Sequence, residues 1–254
     1  MAPTREREDG WSKVPEVTLT FWFIKIAATT VGETGGDAVS MSLNLGYLVG
    51  TAIFAVIFVV AVICQVYAKR FHPLLYWLTI VATTTVGTTL ADFVDRSLGI
   101  GYPGGTLILI ALLISSLYTW HRTLGSVSID TVSNPKAEMF YWVTIMFSQT
   151  LGTALGDWTA STAGLGYVKG ALVFGALLAV IALAYYATRI SRTALFWAAF
   201  VLTRPLGAVV GDFLDKPVSA GGLAIDRFSV SAVLLAIIIV CILVLPQRPA
   251  RTAH

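Results

Sequence analysis

Four aspartates, Asp37, Asp92, Asp157 and Asp212, stand at one register inside apolar stretches of this 254-residue chain. Each follows a tryptophan (Trp22, Trp77, Trp142, Trp197) by fifteen residues and a glycine (Gly32, Gly87, Gly152, Gly207) by five. On a helix, with roughly 100° between residues, positions seven, eleven and fifteen after each tryptophan share one face. That face carries Thr29, Glu33 and Asp37, then Thr84, Thr88 and Asp92, then Gln149, Thr153 and Asp157, then Arg204, Ala208 and Asp212. Three residues beyond each aspartate come Ser40, Asp95, Ala160 and Asp215. A polar edge therefore runs along four apolar segments.

A carboxylate inside a bilayer costs several kcal/mol unless it is paired, protonated or wet. Four close together cannot all stay unpaired anions, so some hold a proton or share a cation. Proton exchange against a cation is the chemistry such a set supports. The ion- and proton-binding residues expected are Glu33, Asp37, Asp92, Asp157 and Asp212, with Glu33 and Asp37 the first candidates for metal ligands. Thr29, Thr84, Thr88, Gln149, Thr153 and Arg204 would line the path, and Asp95 and Asp215 would widen an outer vestibule. Arg204, two turns below Asp212, is the fixed counterion expected for it, and Lys25 is placed to snorkel to the interface. No Cys or His lies on the face, since His72, His121 and His254 fall in polar segments. Oxygen ligands suit hard ions such as Mn²⁺, Mg²⁺, Ca²⁺ or Na⁺. The competing structural reading is that each aspartate caps the following turn and each threonine bonds its own backbone.

The elements that must hold these residues are membrane helices. The chain is 56% hydrophobic and 12% charged, about half the charge of a soluble domain. Apolar stretches long enough to cross a bilayer run over 18–40, 46–68, 75–94, 101–120, 139–159, 167–188, 195–214 and 228–246. The fold class expected is an all-α integral membrane protein: eight transmembrane helices forming four parallel-oriented hairpins, with helices 1, 3, 5 and 7 as the inner bundle. The even segments are almost purely aliphatic and face lipid. A small residue four after each glycine (Gly36, Ala91, Gly156, Gly211) lets the inner helices approach closely. Repeats are expected at 18–71, 72–121, 139–192 and 193–246, with a polar segment at 1–17, a linker at 122–138 and a tail at 247–254. The aromatic pair opening each repeat (Phe21 and Trp22, Tyr76 and Trp77, Tyr141 and Trp142, Phe196 and Trp197) is read as an interfacial anchor, with ligand stacking the lesser alternative.

Eleven of the 17 basic residues fall in the termini and the loops on the tryptophan side, and Arg96, Lys169, Lys216 and Arg227 on the other. This bias predicts cytoplasmic N- and C-termini in a bacterial inner membrane, and it accounts for the net charge of +3 without nucleic acid. The partners expected are the lipid bilayer and a small cation, a proton, or both. Cys64 and Cys241 lie in lipid-facing segments and imply no disulfide framework. No nucleophile and base pair, histidine metal cluster or nucleotide motif points to an enzyme or a cofactor.

Residues 20–246 resemble a family of bacterial membrane proteins built from four tandem copies of a two-helix, tryptophan-containing repeat of unknown function. The resemblance implies the architecture and carries over no catalytic residue. The string from Glu33 to Asp37 is also similar to the Glu-x-Gly-Asp motif of manganese and calcium cation/proton exchangers, here lengthened by one residue and present in one repeat. A transporter is the function expected, with a non-transporting scaffold or sensor as the alternative.

Overall fold

Residues 12–250 are described by the structure, a computed structural model, and eight long helices account for most of them. They are α1 (Leu19–Asp37), α2 (Gly46–Tyr67), α3 (Pro73–Asp92), α4 (Gly101–Leu124), α5 (Pro135–Asp157), α6 (Gly166–Ala187), α7 (Arg192–Asp215) and α8 (Arg227–Val244). The odd helices start on conventional signals. Thr18, Asn134 and Ser191 accept from the backbone N–H three residues on, and Pro73 and Pro135 fill first-turn positions where no donor is needed. α2, α4 and α6 each begin at a glycine with φ of 70–78°, a left-handed turn that a side chain would oppose.

Six of the helices, all but α1 and α5, are long and apolar enough to cross a membrane. α1 and α5 match them in length but carry Lys25, Glu33 and Asp37, and Glu138, Gln149 and Asp157, respectively, all buried. The chain is an all-α membrane protein, and its polar helices are at the centre. Each odd helix packs against the next, α1 on α3, α3 on α5, α5 on α7 and α7 back on α1, which closes a four-membered parallel ring. The helices of one repeat do not chiefly pack on each other. α2 rests on α3, α4 on α5, α6 on α7, and α8 closes the circle against α1. Each repeat thus covers its neighbour, so no repeat buries its polar helix alone.

Glycines make the close approach possible, in a way that differs from seams facing one another. A Cβ on Gly32 would overlap Thr84, one on Gly152 would overlap Arg204, and one on Gly207 would lie 2.6 Å from Thr29 Cβ. On Gly87 it would meet the Gln149 and Thr150 backbone at 3.0 Å. Each glycine therefore receives the residue seven after the next repeat's tryptophan, polar edge into small seam.

Three separate polar segments meet over the aromatic end of the ring. Lys13 N–H donates to Val132 O, Glu16 N–H to Arg248 O and Ala250 N–H to Val14 O, each at 2.8 Å. Lys13 Nζ pairs with Glu138 at 2.6 Å, both nearly buried. The described parts of the leading segment (12–17) and the tail (247–250) therefore join the linker as one cover on one side of the bundle. Arg5, Arg7, Arg251 and His254 lie outside the described residues.

Candidate functional site: a layered charged axis

The inward face of the ring extends further than positions seven, eleven and fifteen. Residues one before and three after each tryptophan continue the same four-residue spacing, and every side chain in all five layers is buried. With a rise of about 1.5 Å per residue, successive layers lie about 6 Å apart. From one end they are Phe21, Tyr76, Tyr141 and Phe196; then Lys25, Ile80, Ile145 and Phe200; then Thr29, Thr84, Gln149 and Arg204; then Glu33, Thr88, Thr153 and Ala208; and last the aspartates.

The aromatic layer closes one end. Tyr76 and Tyr141 share a hydrogen bond of 2.6 Å between hydroxyls, and Phe21 lies 5.4 Å from Trp77 and 6.2 Å from Phe196 between centroids. Seven of the eight rings in the four aromatic pairs are buried in the main apolar core of the bundle and Trp22 packs against it, so they pack between helices where the sequence suggested interfacial anchors. Their four-residue offset from the polar edge was the signal in the sequence. Lys25 does not snorkel either. It is fully buried, and its Nζ lies 4.1 Å over the Phe200 ring.

The middle of the axis is one ion pair. Arg204 Nη2 donates to Glu33 Oε2 at 3.0 Å, and to the hydroxyls of Thr88 and Thr153 at 2.5 Å each. Arg204 from α7 thereby joins α1, α3 and α5 at mid-depth. It pairs with Glu33, not with Asp212 as expected. The Thr88 hydroxyl in turn donates to Gly32 O at 3.0 Å. Thr29 bonds backbone carbonyls of Ile26 and Thr203, and Gln149 Oε1 faces Lys25.

The aspartate layer converges on the axis, but it is closed by cations that the sequence reading had placed facing out. Arg96 lies 2.9 Å from Asp92 on its own helix and 3.0 Å from Asp157 on the next repeat. Lys216 repeats this in the other half, bridging Asp212 at 3.0 Å and Asp37. Arg96 is steadied by the hydroxyls of Tyr47 and Tyr102 at 3.1 and 3.0 Å. Burial alone would lower the Lys216 pKa, but the carboxylates of Asp212, Asp37 and Asp215 outweigh it and raise it above an ordinary lysine's. The open vestibule expected is thus a packed cluster, with each aspartate no more than 4% exposed. The missed signal was a cation nineteen after the tryptophan in repeats two and four alone, where repeats one and three have Met41 and Ser161.

Asp95 and Asp215 do not widen this end. Asp215 is held by Arg227 at 2.6 Å. Asp95 turns outward against Gly105 of α4, where neither of its oxygens has a hydrogen-bond partner among the described residues. Glu33, Asp37 and Asp212 do come together: one oxygen from each lies within 4.8 Å of the others. Three carboxylates at that spacing can share a hard cation or a proton.

The family model described as Repeat of Unknown Function (DUF347) matches four stretches, residues 20–71, 75–126, 140–191 and 195–248. No curated protein and no solved structure matches the chain.

Proposed function

The chain belongs to the DUF347 repeat family, and we propose that it is a polytopic membrane transporter exchanging protons for a small hard cation such as Mn²⁺, Mg²⁺, Ca²⁺ or Na⁺. The observation that carries this reading is the triad of Glu33, Asp37 and Asp212, buried on the axis with their oxygens within 4.8 Å. Carboxylate oxygens with nearby hydroxyls suit ions that prefer oxygen ligands. A proton and a cation are alternatives at the same oxygens, which is what exchange requires. No catalytic step and no cofactor is part of the proposal. The excess of basic residues at the aromatic end supports a cytoplasmic location for that end and both termini, in a bacterial inner membrane.

Two closures bound the triad. The aromatic layer seals the inner side, and the bridges of Arg96 and Lys216 seal the outer side. Lys216 and an incoming cation compete for Asp37 and Asp212. Removing the ammonium in Lys216→Met should therefore tighten cation binding about tenfold, one decade per 1.4 kcal/mol of competition. The check is the cation concentration at which the thermal midpoint of the purified protein rises.

In proteoliposomes, cation-dependent proton flux should fall at least about tenfold in the Glu33→Gln, Asp37→Asn double variant, the loss of 1.4 kcal/mol or more from the coupled step. Wild-type flux retained in that variant removes the triad from the mechanism. The tight pairing of the carboxylates with Arg96, Lys216, Arg204 and Arg227 favours a second reading, a non-transporting scaffold or sensor. That reading predicts lowered stability in the same variant and no flux in the wild type.

A further inference from the structure

Past Phe174, α6 buries no residue, although α2, α4 and α8 all do so towards their aromatic ends. Gln65 of α2 and Trp120 of α4, each nineteen residues after the glycine that starts its helix, are buried, and Trp120 lies 5.9 Å from Trp197. Tyr185 holds the same register in α6 and is 46% exposed. Its ring is covered instead by the Arg192 guanidinium, 4.1 Å from its centroid. A cleft of about 610 Å³ is left open between α6, α7 and α1, with linker residues 128–130 at one end. It lies outside the ring, at the seam where the ring closes.

The cleft is graded in polarity. Thr18, Ser128, Asp130, Arg192 and Thr193 stand at its aromatic end, and below them Ile26, Leu178, Ile181 and Ala199 make apolar walls. Thr203, at the floor, donates its hydroxyl to Phe200 O at 2.8 Å. Eleven residues of helix separate Arg192 from Thr203, which at about 1.5 Å per residue makes the cleft roughly 16 Å deep. That is half of a hydrocarbon core about 30 Å thick. The cleft thus has the profile of one leaflet: an interfacial mouth and an apolar shaft ending near the bilayer midplane.

The mouth carries both signs of charge. Arg192 donates to Tyr185 O and has no carboxylate partner among the described residues. Asp130 accepts from Ser128 Oγ at 3.2 Å and has no cation partner among them. A head group with a phosphate alone would suit Arg192 and be opposed by Asp130. One with a phosphate and a primary ammonium answers both, because phosphate oxygens accept from the guanidinium and the ammonium donates to the carboxylate. A quaternary ammonium keeps the charge but cannot make that bond.

We propose that this cleft binds a membrane phospholipid whose head group carries a phosphate and a primary ammonium, with one acyl chain lying against α7 between α6 and α1. The site goes beyond the transport reading and uses none of its residues.

The test is thermal unfolding of the full-length protein, delipidated in detergent, with added phosphatidylethanolamine, phosphatidylcholine or phosphatidylglycerol of one chain composition. The midpoint should rise by several degrees with phosphatidylethanolamine. The other two lipids should need about tenfold more for the same rise, the weight of roughly one charge-assisted hydrogen bond. Asp130→Asn should bring phosphatidylethanolamine down to the level of phosphatidylcholine, and Arg192→Gln should weaken all three about tenfold. Ala182→Trp, which fills the cleft from α6, should remove the response. No rise with any lipid overturns the site, and so does an equal rise with all three, the mark of nonspecific coating. A full response kept in Ala182→Trp places the lipid elsewhere and also overturns it. If Ala182→Trp does not fold, full responses in both Arg192→Gln and Asp130→Asn overturn it. A second copy of the chain in the cleft would give a dimer in light scattering that Ala182→Trp dissociates, with no lipid response, and that result overturns the proposal too. Cation flux enters none of these readouts, so the transport proposal stands or falls separately.

Discussion

Arg204→Met should destabilise the protein by about 3–5 kcal/mol, the cost of breaking a buried ion pair from one side. Methionine keeps most of the stem that packs on Gly152, so the loss is of charge and hydrogen bonds more than of volume. It leaves Glu33 without its cation at mid-depth and takes the donor from Thr88 and Thr153 together. Three interhelical ties of the ring go at once. Unfolding of purified variants in denaturant, followed by tryptophan emission, measures the loss. The double variant Arg204→Met, Glu33→Gln should recover most of it, because exchanging a buried pair for uncharged groups is often nearly neutral. An Arg204→Met protein as stable as wild type would mean that Glu33 is already uncharged, and the axis would then have no central ion pair.

Much of this architecture was legible because the fold repeats. A tryptophan, glycine and aspartate at fixed spacing four times over determine which helices are inner, and the small seam determines how close they come. The glycines at positions such as 32 and 207 could be read as close-approach sites from spacing alone. Their receiving residues could not, because Thr84 enters the seam of the preceding repeat while its own repeat turns away. Pairing along a chain suggests a hairpin. Only the closed ring shows that each second helix serves its neighbour.

The same limit hid the partners of the charges. Arg96 and Lys216 sit four residues after an aspartate, which is enough to predict the bond within the helix. Their second bonds, to Asp157 and Asp37, cross to the next inner helix and depend on the order of the ring. Arg204 points one layer up the axis and ends on Glu33 of α1, a layer short of the Asp212 of its own helix, and no spacing rule carries that choice of partner. The result is a twofold pattern at the aspartate layer, two cations each bridging two repeats, over a middle with no such symmetry. Repeats one and four alone contribute the triad, so the chemistry is concentrated at the seam where the ring closes, between α1 and α7.

That seam is also the place most sensitive to size. Gly207→Ala should cost about 1–3 kcal/mol or more, the range for overpacking a tight interior, although alanine is the better helix former by about 1 kcal/mol. The added methyl would lie 2.6 Å from Thr29 Cβ and 2.9 Å from its backbone carbonyl carbon, so no rotamer change relieves it and α1 must move from α7. Gly35→Ala is the matched control. It lies on α1 near the same depth, but its nearest neighbour would be Ser231 Oγ at 3.9 Å, and it should be neutral or slightly stabilising. Forcing α1 from α7 also separates Glu33 and Asp37 from Asp212. Gly207→Ala should therefore weaken any cation-induced rise in thermal midpoint beyond what its lower stability explains, while Gly35→Ala leaves that rise intact. Equal midpoints for the two alanine variants would show that the helices do not meet at Gly207, and the ring would then have to close elsewhere.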